Sequence, residues 1–329
     1  MTSKDKILVT GGAGYIGSQV ALDLQRSGFE PIIIDNYVTG NKAIIEKLNI
    51  SIFDGCVGDE IFLKSIFAKH NFRAVMHFAA YTQVGESVLD PAKYYQNNVG
   101  ASLVLLKVMK EAGVKDIIFS STAAVYGIPE TTPISETAPL KPINPYGWSK
   151  LFVERILEDY CAAFGFRAVI FRYFNAAGAD SSSLIGEQHN PETHLIPLTI
   201  FAAAKGTPIK VFGNDYATSD GTCIRDYVHV ADISQAHLLG LKKLITGFKW
   251  GIFNIGSGGG YSVLDVIKSV EEVIGKKIIQ DLVTRRAGDP ARLVASSDRL
   301  LNDLGWLPKY RNLSEIVDSA WKWHKKQDI

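Results

Sequence analysis

The sequence predicts an α/β protein, a doubly wound parallel sheet followed by a smaller C-terminal α/β lobe. Three observations carry this. Short apolar runs alternate with stretches of helical periodicity up to about residue 175, a glycine-rich turn joins the first run to the first helix, and a loop-rich texture begins after Asn175. At 329 residues and 47% hydrophobic content, the chain is long enough for a large core shared by two lobes. The expected division is 1–175 for the sheet domain, with part of 226–257 returning to it, and 176–329 for the second lobe.

Taken in order, Ile7-Leu-Val9 is the first strand, and Ile16, Val20 and Leu24 mark a helix that Gly28 closes. Pro31-Ile-Ile-Ile34 is the second strand and ends at Asp35. Strands are further expected at Ala74–Phe78, Asp116–Phe119 and Ala168–Phe171, with helices over 94–112 and from Pro145 to Phe164. Phe119 to Gly127 then follows the fourth strand of this reading. In the second lobe, Gly256 to Gly260 is glycine-rich, but it precedes the capped helix start Ser262-Val-Leu-Asp265 and reads as a structural turn.

Strand, Gly11-Gly-Ala-Gly14-Tyr-Ile-Gly17, helix, strand and terminal acid make the βαβ unit of a Rossmann-type dinucleotide site. Gly11 permits the turn, Gly14 lets backbone approach a pyrophosphate, and Gly17 allows close helix packing. Asp35 is placed to accept both ribose hydroxyls, and its charge would repel a 2′-phosphate, so NAD is expected rather than NADP.

A second motif, Tyr146-Gly-Trp-Ser-Lys150, puts a phenol and an ammonium on one helix face at i and i+4. Asn144 can cap that helix and Pro145 suits its first position, so Tyr146 falls in the first turn, where the dipole favours negative charge. With Lys150 nearby, the phenol is expected to lose much of the roughly 3 units that separate its ordinary pKa from neutrality. With Thr122 the two make a proton-handling triad for an alcohol and ketone pair.

These motifs, with His77-Phe-Ala-Ala80, Val84–Ser87, Tyr94–Asn98, Arg172-Tyr-Phe-Asn175, Gly186–Asn190, Phe212–Tyr216, Asp220–His229 and Arg285–Asp289, carry a resemblance. The chain resembles the extended short-chain dehydrogenase/reductase family, and within it the UDP-glucose 4-epimerases, along essentially its whole length. The resemblance implies Tyr146, Lys150 and Thr122 as catalytic residues. It implies NAD contacts from Gly11, Gly14, Tyr15, Ile16, Gly17, Asp35, Asn36, Phe78, Ala79, Ala80, Asn97, Tyr146, Lys150 and Tyr173. For a UDP-hexose it implies Arg225 and Arg286 on the diphosphate, Asp289 on the ribose, Phe212 on the uracil and Asn175 on phosphate or sugar. Leu195, Thr122 and Tyr146 also belong to the substrate set, and Leu293 lies beside the sugar C2 substituent, where its small side chain leaves room for an acetamido group.

The implied reaction interconverts UDP-glucose and UDP-galactose. C4 is oxidised by tightly bound NAD, the 4-keto sugar turns over, and hydride returns to its other face. A 4,6-dehydratase would need an acid and base after Thr122, where this chain has Ala123-Ala124, and a non-catalytic NAD sensor would have no use for the triad. Family members often hold adenine through an acid at the position of Cys56, which leaves Asp54 and Asp59 as substitutes, and His194 stands where many members have Asn. Relatives commonly form homodimers through two helices, here those near 94–112 and 145–164.

The 34 acidic and 35 basic residues nearly cancel and form no long run of one sign, which argues against a nucleic-acid partner. No apolar stretch reaches membrane-span length, and no signal-like segment precedes Ile7, so no membrane partner and a cytoplasmic location are expected. Cys56, Cys161 and Cys223 lack metal-ligand spacing, and no metal is expected.

Overall fold

The computed structural model describes residues 4–286 and 288–327. In chain order its elements are β1 (Lys6–Thr10), α1 (Tyr15–Arg26), β2 (Glu30–Asp35), α2 (Lys42–Glu46), β3 (Ser51–Asp54), α3 (Glu60–Lys69), β4 (Phe72–His77), α4 (Val84–Leu89), α5 (Pro91–Tyr94), α6 (Ala101–Glu111), β5 (Asp116–Thr122), α7 (Pro145–Phe164) and β6 (Arg167–Tyr173). There follow β7 (Asn175–Ala177), α8 (Leu195–Lys205), β8 (Ile209–Phe212), β9 (Ile224–Arg225), β10 (Tyr227–His229), α9 (Val230–Ile245), β11 (Trp250–Ile255), β12 (Tyr261–Ser262), α10 (Val263–Ile274), β13 (Gln280–Val283), β14 (Arg292–Leu293), α11 (Asp298–Leu304) and α12 (Leu313–Lys325).

The chain divides into two compact units. The first comprises the residues up to Gly127, Pro139–Tyr173 and Ser234–Phe253. The second comprises Ile128–Ala138, Phe174–Ile233 and the residues from Asn254.

The first unit is built on a seven-stranded sheet in the order β11-β6-β5-β4-β1-β2-β3, in which β6 through β3 pair in parallel. Its central strands are continuous apolar runs because helices cover both faces: Ile7, Leu8, Val9, Ile33, Ile34, Val75 and Met76 are fully buried. The strand order reverses between β1 and β4, the position at which doubly wound sheets open a crevice at their carboxyl ends. The glycine turn leaves β1 there, and Phe78–Ala80 leaves β4 beside it.

Two local readings of the sequence are corrected. Strand β3 was not expected, because Ser51–Asp54 is an edge strand with no fully buried residue, and β5 is therefore the fifth strand rather than the fourth. The expected helix over 94–112 is interrupted by one π-helical turn at Tyr95–Gly100, with α5 before it and α6 after it.

The second unit contains three small sheets, β10-β7, β12-β9-β14 and β13-β8. Its core joins Ile196 and Ile200 of α8, Val266 and Val270 of α10, and Ile316 and Val317 of α12. Helix α10 starts on a capping box of Ser262 and Asp265, as expected. The amides of Ser257 and Gly258 bond to the buried Asp226 carboxylate at 2.7 and 3.1 Å, so this glycine-rich loop is a turn held by the protein itself. Among the described residues, no helix is long and apolar enough to cross a membrane.

Candidate active site

The glycine turn is shaped by contacts no side chain could survive. Gly11 has φ +69°, and a Cβ there would lie 2.5 Å from the Ala79 backbone nitrogen. A Cβ on Gly17 would lie 2.3 Å from the Gly11 carbonyl oxygen, so its close packing is on the turn. Gly14 differs: its Cβ would meet nothing closer than that oxygen at 3.3 Å. Gly14 is the N-cap of α1, whose first turn carries no acid and no side-chain cap, so its amides are presented to an anion. Tyr15 and Ile16 open that helix.

Asp35 ends β2, nearly buried, and accepts from the amides of Ala13 at 2.9 Å and Tyr37 at 2.8 Å. Burial raises its pKa above the usual carboxylate value, against those amide bonds. Each of its oxygens keeps acceptor capacity for a ribose hydroxyl. Asn36 follows directly, and its side chain accepts from Val38 N at 3.3 Å. Of the two substitute acids, Asp59 caps α3 through Phe62 N, while Asp54 is held by Tyr37 and Lys42 at 2.5 and 2.6 Å. The Cys56 thiol is exposed.

Helix α7 delivers the proton-handling residues. Asn144 caps it through Gly147 N at 2.8 Å and Pro145 is its first residue, which fixes Tyr146 in the first turn. Thr122, the last residue of β5, sets its hydroxyl where it favours the Tyr146 phenolate, and caps the short 3-10 turn Ala123–Tyr126 through Ala124 N at 3.1 Å. Lys150, one turn after Tyr146, is buried and donates to Ser120 O at 2.8 Å. Tyr173 at the end of β6 places its hydroxyl 2.6 Å from His237 Nε2.

The electrostatics correct the expectation of an acidified phenol. Burial pushes Tyr146 above its ordinary value and the Thr122 hydroxyl only partly opposes it, while burial lowers Lys150 to about 7. Desolvating both groups disfavours both ions, and the Lys150 ammonium is spent on a carbonyl. The protein alone therefore keeps the phenol protonated at neutral pH.

Two residues that pattern reading missed support this constellation. Asn98, in the π turn, accepts from Tyr81 N at 2.9 Å and donates to Tyr81 O and Ser149 Oγ, both at 3.0 Å, clamping the strand-end loop to α7. Its neighbour Asn97 donates to Asn98 Oδ1 at 3.0 Å. Glu154, four residues after Lys150, is buried and takes a bidentate fork from Arg172 at 3.0 and 2.6 Å. Its charge favours the Lys150 ammonium. The 3.6-residue period that places Tyr146 and Lys150 together also places Glu154, but only the strand register reveals Arg172.

In the second unit, the chain runs from one small sheet to another across three residues. Arg225 pairs in register with Leu293, and Tyr227 pairs with Asn175. Between them, Asp226 O accepts from Asn175 N at 2.9 Å and Nδ2 at 3.2 Å. Arg225 is paired with Asp289. The Arg286 guanidinium lies over the Phe212 ring, 3.9 Å from its centroid. Asp289 N donates to Arg286 O at 3.4 Å, which links the two pairs, and guanidinium groups of this kind can match phosphate oxygens. Leu195 is the first residue of α8.

Comparison with known proteins identifies the family. The profile of the "NAD dependent epimerase/dehydratase family" matches residues 7–256. The chain is 46% identical over 321 residues to a UDP-glucose 4-epimerase of Halalkalibacterium halodurans, covering 97% of this chain and 96% of that one. A crystal structure described as UDP-glucose 4-epimerase superposes with a TM-score of 0.95 at 46% identity, covering 98% of each chain. The UDP-glucose 4-epimerase of Bifidobacterium longum, solved in complex with NAD+ and UDP, gives 0.92 at 39% identity, over 98% of this chain and 99% of that one. Matched by the profile over most of its length and by such relatives over nearly all of it, the chain belongs to the NAD-dependent epimerase/dehydratase family.

Proposed function

We infer that this chain is an NAD-dependent UDP-glucose 4-epimerase, interconverting UDP-glucose and UDP-galactose through transient oxidation at the sugar C4. The observation that carries the reading is that one helix, α7, holds a phenol and a buried lysine one turn apart, with the Thr122 hydroxyl placed to favour that phenol's ionised form. The glycine turn, the uncapped N-terminus of α1 and Asp35 fit NAD, whose nicotinamide supplies the hydride acceptor and donor and, when oxidised, a positive charge that favours the phenolate. Tyr146 takes the proton of the 4-hydroxyl and later returns it to the 4-keto oxygen, the inversion at C4 coming from hydride return to the other face, with Thr122 orienting the hydroxyl and Lys150 stabilising the phenolate. Arg225 and Arg286 hold the diphosphate, Asp289 the ribose and Phe212 the uracil. Leu195, Asn175 and Leu293 complete the sugar-nucleotide set, and Leu293 leaves room for 2-acetamido sugars. The turn after Thr122 offers only Ala123, Ala124, Val125 and Tyr126, so the acid and base of a 4,6-elimination are not supplied there.

The same unit carries an apolar surface on two neighbouring helical segments. Trp148 and Phe152 lie four residues apart on α7 with ring centroids 5.6 Å apart, Tyr95 packs on Phe152 at 5.9 Å, and Leu103 is exposed on α6. This supports a homodimer formed through these helices.

The purified protein should interconvert UDP-galactose and UDP-glucose with no NAD added, because the cycle consumes none. Tyr146→Phe should keep its nucleotide and lose about 10²- to 10⁴-fold in turnover. A Tyr146→Phe enzyme of near-native rate, or a wild type that is active only with added NADP, would overturn the assignment.

A further inference from the structure

The loop ahead of α8 gathers Glu187, His189, Glu192 and His194, each offering one ligand atom, with all four atoms within 4.8 Å of one another. Both imidazoles aim Nδ1 at the same two carboxylates. His194 stands 2.6 Å from Glu187 and 3.3 Å from Glu192, and His189 stands 3.3 Å from Glu187 and 3.6 Å from Glu192. Ligands of a tetrahedral ion with bonds of about 2.0–2.1 Å sit roughly 3.3–3.4 Å apart; His189 Nδ1 lies near that distance from both Glu187 Oε1 and Glu192 Oε2, whereas His194 Nδ1 lies closer to Glu187 Oε1 and approaches Glu192 through its other oxygen, Oε1.

The cluster is built into the fold. The Glu187 and Glu192 side chains are only 5% and 7% exposed. Trp323 of α12 donates to the Glu187 carbonyl at 3.0 Å and its ring closes on Gly186, where a Cβ would come within 2.3 Å. Glu192 Oε1 is fixed by the amides of Thr193 and His194 at 2.7 and 2.9 Å. That leaves Glu187 Oε1 and Glu192 Oε2, both buried and neither met by an aligned hydrogen-bond donor. Buried carboxylate oxygens need a positive partner, which one shared metal ion or the imidazolium forms of the two facing histidines can supply. The half-exposed His194, whose side chain does not cap α8, gives an ion a route in.

We propose that Glu187, His189, Glu192 and His194 form a four-coordinate site for a first-row divalent transition ion, Zn²⁺ first, that ties the 187–194 loop to the second unit. Two imidazoles with two carboxylates suit zinc, whereas Mg²⁺ and Ca²⁺ prefer oxygen alone. With all four positions filled by the protein, the site is structural, with none left to activate water. Cysteine spacing carries no hint of it, because the set E-x-H-x-x-E-x-H contains no cysteine.

The test uses untagged full-length protein purified without chelators. Elemental analysis should find about one zinc per chain. After removal with a strong chelator, Zn²⁺ titrated against a chromophoric competitor should rebind at one site, and the melting temperature should fall on removal and recover with Zn²⁺ but not Mg²⁺. Co²⁺ in place of zinc should give the intense visible bands of a four-coordinate ion. His189→Ala and Glu192→Gln should each weaken zinc binding at least about tenfold. A wild type that takes up no stoichiometric zinc and melts identically with and without chelator would overturn the proposal and leave a metal-free imidazole–carboxylate network. Zinc binding unchanged in both variants would overturn it equally, and the wild-type measurements decide the matter even where a variant fails to fold.

Discussion

A lysine held out of water at neutral pH is a cost the fold accepts, and Lys150 makes that cost measurable. Its pKa lies at about 7 because burial disfavours the ammonium, against an ordinary value of 10.5. Between those values the unfolded chain binds a proton that the folded one does not, so this residue makes stability rise with pH across that window. Below about pH 7 the penalty is complete, at most about 5 kcal/mol, and above pH 10.5 it is gone. Lys150→Met has no ammonium to strip. In nucleotide-free protein, the melting temperature of the variant relative to wild type should therefore be highest near pH 7 and fall by roughly 5 °C or more towards pH 9.5. A difference that does not change with pH would show that Lys150 is not the buried titrating group. Tyr146, Lys150 and Thr122 were legible because two of them share one helical turn and the third ends a strand. Asn98 and Glu154 were not, since a buried amide and a buried acid look like surface residues until Tyr81, Ser149 and Arg172 are seen beside them.

At the scale of elements, the strands that could be read were those buried on both faces, and β3 escaped because its four residues lie at the sheet edge, only partly buried or exposed. The π turn escaped for another reason: one residue added to a helix shifts its register without disturbing its apolar character, and here it sets Asn98 towards α7. The glycine turn was legible, yet its glycines differ in what they answer to. Gly17 is required by the fold, since its Cβ would strike the Gly11 carbonyl at 2.3 Å, whereas a Cβ on Gly14 would meet the same oxygen at 3.3 Å, a tight contact that a shift of a few tenths of an ångström relieves. Gly14→Ala should then cost nucleotide-free protein less than about 1 kcal/mol, the scale of an N-cap change, while abolishing retention of NAD through gel filtration. Gly17→Ala should lose both stability and nucleotide. Calorimetry of the stripped proteins and nucleotide release on denaturation separate the two, and a Gly14→Ala protein that keeps a full complement of NAD would show that this glycine does not face the pyrophosphate.

At the scale of the molecule, near-neutral charge and balanced composition predict neither a polyanion groove nor strong self-repulsion, and a chain of that kind can associate through apolar surface. What the sequence could not show is which apolar residues on the helices remain outside the core. In the structure Leu103, Trp148 and Phe152 are 41%, 38% and 42% exposed, while Leu105, Leu106 and Val153 of the same helices are buried. A helical face is divided between core and surface by neighbours that sequence periodicity cannot name. If this face is the homodimer contact, wild type should sediment at twice the chain mass at micromolar concentration. A Trp148→Glu, Phe152→Glu double variant should sediment as a monomer, because two carboxylates would be desolvated against a self-complementary apolar surface. Both side chains lie partly in solvent, so the monomer should keep its circular dichroism spectrum and its bound nucleotide. A wild type that is monomeric across the concentration range, or a double variant that stays dimeric, would place the subunit contact elsewhere or remove it.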